Sequence, residues 1–104
     1  MECAVIALKA KSDKNGIKAV AYQVAQLTTQ AVKCGIQIVE CVVTFGGVKD
    51  ILREIRGLDS QKRFNTLFIY SPNQFCKDET EFRAFVEILE KDFKVQVRYI
   101  RSNF

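Results

Sequence analysis

No histidine occurs in the 104-residue chain, so the commonest metal ligand and the commonest general base are both missing. Cysteine occurs as Cys3, Cys34, Cys41 and Cys76, but no two form a C-x-x-C pair, which excludes the usual zinc and dithiol spacings. Three of the four fall in or beside apolar segments, and they are read as reduced thiols packed into a core. No apolar run approaches the roughly 18 residues of a membrane span, and no basic start followed by a hydrophobic stretch marks a secretory leader. The expectation is a cytoplasmic protein with no metal, no cofactor and no membrane partner.

What is present suits one domain, 1–104, since 48% apolar content builds a core without disulfides. The net charge of +4 is uneven: residues 78–92 hold six acids against Arg83 and Lys91, so one acidic segment faces an otherwise basic chain. Such a surface suits a polyanion, although a mixed solvated surface has the same composition.

Residues 3–9, Cys-Ala-Val-Ile-Ala-Leu-Lys, are apolar on both sides until the last, as in a strand covered on both faces. The polar loop Ala10-Lys11-Ser12-Asp13-Lys14-Asn15-Gly16 leads into a helix over 17–34, marked by Val20, Val24, Leu27 and Ala31 and stopped by Gly35. Residues 36–43 read as a strand near an edge, since Gln37 and Glu40 interrupt its β-branched run. Gly46-Gly47 is a loop, and Val48, Ile51, Leu52, Ile55 and Leu58 carry a second helix. Thr66-Leu67-Phe68-Ile69-Tyr70 is a second fully apolar strand, stopped by Ser71 and Pro72, the only proline. Asp78 followed by Glu81 opens a third helix with Phe82, Phe85, Val86, Leu89 and Phe93 inward. Residues 95–100 alternate, as an edge strand does.

A β-α-β-α-β-α-β order with right-handed crossovers calls for a three-layer α/β/α fold on a mainly parallel four-stranded sheet. The two doubly apolar strands belong in the centre, which gives strand order 2-1-3-4. Its switch point lies between the first and third strands, so the crevice is lined by residues 9–14 on one side and 71–77 on the other.

At that crevice the residues resemble the catalytic domain of serine recombinases, the resolvases and invertases. The first strand of that family ends in a Tyr-Ala-Arg-Val-Ser pattern, matched here by Ala7-Leu8-Lys9-Ala10-Lys11. Its first-helix glutamine falls on Gln23, its arginine opening the second helix on Lys49, and its Asp-Arg-Leu-x-Arg motif on Asn73-Gln74-Phe75-Cys76-Lys77. The resemblance covers almost the whole chain in element lengths and apolar pattern, and it implies a resolvase-like fold. The catalytic groups differ throughout: Ala7 stands for the tyrosine, Lys11 for the nucleophilic serine, Asn73 for the aspartate, and Lys9, Gln74, Lys77 and Lys49 for arginines. Lysine supplies a point charge where a guanidinium supplies a bidentate fork, and glutamine supplies no charge. The resemblance therefore implies a domain without recombinase activity, keeping a vestigial pocket of Lys9, Lys11, Ser12, Gln23, Lys49, Asn73, Gln74 and Lys77. The family continues into a dimerisation helix and a helix-turn-helix domain; if the full protein ends at Phe104, base-specific DNA reading by that route is not expected.

The expected partners are DNA, bound weakly through its phosphates, or another recombinase-like protein, in DNA recombination or mobile-element or prophage regulation; self-association is left open. Two other readings stand beside this one. An unrelated small α/β interaction module has the same apolar pattern. An enzyme of another kind would reuse the crevice through Lys11 and Ser12, although Ser12 without a neighbouring base reads first as a loop or capping serine, and Lys9 and Lys11 as solvated strand-end lysines. A phospho-receiver is disfavoured because no acid follows the third strand, and a flavin site because no Ser/Thr/Gly phosphate loop follows the first.

Overall fold

The computed structural model describes residues 2–11, 14–59 and 63–101. Four parallel strands, β1 (Cys3–Lys9), β2 (Gln37–Thr44), β3 (Thr66–Ile69) and β4 (Gln96–Tyr99), form one sheet in the order β2-β1-β3-β4. The helices are α1 (Lys14–Lys33), α2 (Val48–Asp59) and α3 (Glu79–Ile88), the last continuing into a π-helical turn over Leu89–Phe93. The expected α/β/α layering and strand order are therefore what the chain adopts.

Burial explains the order. Residues 4–8 of β1 and all four residues of β3 are buried, so both strands need a helix layer on each face. Ala4, Ile6, Leu8 and Phe68 pack under Leu27 and Ala31 of α1. The alternate residues Val5, Ala7, Leu67 and Ile69 pack against Ile51 and Ile55 of α2 and Phe85 and Leu89 of α3. One helix thus covers one face of the sheet and two cover the other. At the edge strand β4, Tyr99 meets Phe82 of α3 edge-to-face, with ring centroids 5.8 Å apart.

Three local features depart from the sequence expectation. α1 starts at Lys14, so Gly16 lies inside it. The edge strand β2 carries a bulge: Ala4 pairs with Ile38 but Val5 with Glu40, so Val39 and Val42, three apart, both pack toward α2. The third helix is preceded by a 3-10 turn over Pro72–Gln74 and ends in the π-helical turn, closed by Lys94 in the left-handed region at φ 58°. α3 itself opens as expected on Asp78, whose carboxylate accepts from the Glu81 amide at 2.8 Å.

The reading of the cysteines as core residues holds for Cys76 alone, since Cys3 is half-buried and Cys34 and Cys41 are exposed. Cys41 flanks Val42, which faces α2, so it points to the other side of the sheet, at the open β2 edge. Cys34 follows the last residue of α1 and faces water. Among the described residues no helix is long and apolar enough to cross a membrane.

Candidate functional site

Lys9 ends β1 and Lys11 follows it, so both lysines stand where the central strand leaves the sheet. Gly16, Ala19 and Gln23 are three and four residues apart, so they share one face of α1. Asn73 and Gln74 come from the turn that Pro72 starts after β3; proline suits that position because its φ is already set and its missing N–H costs no bond. These seven residues line one cleft of about 650 Å³. It opens at the carboxyl ends of β1 and β3, the switch point of the sheet.

Two contacts hold the cleft in shape. Gln74 donates from Nε2 to Gln23 Oε1 at 2.6 Å, joining the turn to α1, while Gln74 Oε1 is buried without a partner. Ser71, itself buried, donates from Oγ to Asn73 Oδ1 at 2.6 Å and braces the start of the same turn. A third constraint is steric: a Cβ on Gly16 would lie 2.0 Å from the Lys11 carbonyl oxygen, so only glycine lets α1 begin this close to the loop.

Of the sequence-derived pocket, the fold brings Lys9, Lys11, Gln23, Asn73 and Gln74 together. Lys49 is exposed in the first turn of α2, on the opposite face of the sheet from α1, and does not line the cleft. Lys77 is exposed beyond the turn, its backbone amide donating to Glu81 Oε1 at 3.1 Å, and it too lies outside the lining. Ser12 lies outside the described residues. Gly16 and Ala19 line the cleft although sequence reasoning passed over them; helical phase from Gln23 is the signal that finds both.

Among the described residues, the lining supplies two ammonium groups and three carboxamides. Such a set holds an anion by point charge and neutral hydrogen bonds. The nearby thiol of Cys76 is not a substitute nucleophile. It packs in the α2–α3 core, and burial, aided by the charges of Glu81 and Asp78, pushes it up to about 11. Among the described residues no group of three or more His, Cys, Asp or Glu side chains is placed to hold a metal ion.

No family model, curated protein or solved structure matches this chain.

Proposed function

We propose that the chain is a catalytically silent, resolvase-like domain that acts by binding, its switch-point cleft receiving a DNA backbone phosphate in recombination or mobile-element regulation. The observation that carries this reading is the lining of the cleft. Lys9 and Lys11 converge there with three carboxamides, and no acid or nucleophile stands among the described lining residues. Two lysines without a carboxylate favour an anion, and the basic chain outside residues 78–92 extends that preference over the surface. Binding through such a cleft is phosphate-led and insensitive to base sequence, because phosphates carry no sequence information.

Incubation with supercoiled plasmid tests the catalytic half. The expected result is neither nicking nor a covalent adduct, and Lys11→Ser alone does not restore either. Each lost donor to a developing oxyanion costs on the order of 3 kcal/mol, so even strongly non-additive losses at several former arginine positions leave a deficit above about 6 kcal/mol, some four orders of magnitude in rate. A relaxed plasmid carrying a protein adduct at Ser12 would make the chain an active recombinase variant instead.

A further inference from the structure

Among the described residues helix α1 is the only helix on its side of the sheet, yet residues 19–32 carry no charge at all. Solvent-facing helices in this protein otherwise look different: α2 exposes Lys49, Arg53, Glu54 and Arg56, and α3 exposes Glu79, Arg83 and Glu87. On α1 the outward positions Tyr22, Ala25, Thr29 and Val32, spaced three, four and three apart, form one exposed stripe. Tyr22 and Val32 stand 60% and 74% exposed.

Three side chains along this stripe donate within the helix, while Gln26 Oε1 is already buried without a partner. Gln26 Nε2 donates to Tyr22 Oη at 2.9 Å, Thr29 Oγ1 to the Ala25 carbonyl at 2.8 Å, and Gln30 Nε2 to Cys34 Sγ at 3.7 Å. Covering the stripe therefore strands few hydrogen-bonding groups, which keeps the desolvation cost low. An uncharged core bearing a tyrosine is also the composition that separates interface centres from ordinary surface.

We infer that this face of α1 is a self-association surface, and that its occupant is the α1 helix of a second copy, packed antiparallel about a two-fold axis. The order of side-chain sizes supports that occupant. In the antiparallel register that sets Ala25 of one copy against Thr29 of the other, Tyr22 meets Val32 at both ends, so the large residues flank a small centre where the backbones approach. Such reciprocity, in which residue i meets j while j meets i, is what an isologous interface requires. Charge points the same way. A two-fold contact brings identical surfaces together, so its centre must be neutral in a chain of net charge +4, and along the helix the stripe is flanked by Lys18 before it and Lys33 after it.

Sedimentation equilibrium of the full chain, from about 10 µM to about 1 mM, covers the range where a small interface of this kind associates. The mass is expected to rise from 11.9 kDa toward twice that value and not to fall on adding salt, in contrast to phosphate-led DNA binding. Ala25→Glu places like charges at the two-fold centre and abolishes the rise; Thr29→Arg repeats that test at the other central position if the first variant folds poorly. Val32→Glu and Tyr22→Lys each weaken association at least tenfold, and the double variant restores it, because each new lysine then faces a new glutamate across the interface. A chain that stays monomeric throughout overturns the inference and leaves the face to a different protein. So does a dimer that Ala25→Glu leaves intact, one that salt dissociates, or a double variant no better than its singles.

Discussion

Gln74 and Gln23, 51 positions apart in sequence, share a 2.6 Å hydrogen bond that spans the cleft from the turn after β3 to α1. The bond fixes the width of the site, and it also leaves Gln74 Oε1 buried without a partner. Gln23→Met removes the acceptor and strands the whole Gln74 amide, so it is expected to destabilise by about 1–2 kcal/mol. Replacing both with methionine removes the stranded groups together, and the double variant should be more stable than Gln23→Met alone. Urea unfolding of the four-protein cycle measures the coupling; strictly additive effects would show that the two side chains do not interact.

Two helical glycines are predicted to respond to alanine in opposite ways. At Gly57, exposed in α2 with nothing within 4 Å of an added Cβ, alanine should gain up to about 1 kcal/mol from helix propensity. At Gly16 the same change meets the Lys11 backbone at 2.0 Å, which no side-chain motion relieves. There the expected outcome is a loss of about 1–3 kcal/mol, with the Lys11 loop displaced. Thermal melts of the two variants against wild type check the difference in sign.

The fold was legible where burial leaves a periodic trace. Residues 4–8 and 66–69 show continuous apolar runs because helices cover both of their faces, and that alone places β1 and β3 at the centre. Features set by local geometry left no such trace. Gly16 reads as a helix breaker but serves as a close-contact position inside α1. The bulge beside Val39 cannot be seen until β2 pairs with β1, and the π-helical turn closes on Lys94, a lysine where a glycine would have signalled the stop. At the cleft, strand-end position and the motif resemblance both pointed to Lys9, Lys11, Asn73 and Gln74, and the resemblance added Gln23. Both also named Lys77, and the resemblance alone named Lys49; the three-dimensional arrangement sets these two apart from the others.

Acid should loosen the junction between the start of the chain and the sheet edge. Glu2 accepts from Arg98 Nε and Nη2, the latter at 2.9 Å, and from Thr66 Oγ1 at 2.7 Å. The Arg98 hydrogen bond, the largest influence, holds the Glu2 carboxyl below the usual glutamate range against the opposing effect of burial. A carboxyl whose value is lowered on folding contributes fully above its unfolded value, and the contribution is lost as pH falls through the folded one. Glu2→Gln is therefore expected to cost about 1 kcal/mol at neutral pH, with the gap closing at acid pH below the ordinary carboxylate range. Paired melting curves from neutral pH downward check this, and a gap that persists at the acid end would assign it to packing rather than charge.

The central claim is that the cleft lysines meet phosphate, and salt-titrated binding of a labelled duplex to wild type and to the Lys9→Ala/Lys11→Ala variant tests it most directly. The predicted result is weak wild-type binding that falls steeply with salt and does not depend on base sequence. In the variant, the slope of log affinity against log salt should shrink by roughly 1.8, about 0.9 for each phosphate contact removed. Equal slopes for the two proteins, or sequence-selective binding that survives added salt, would contradict the account.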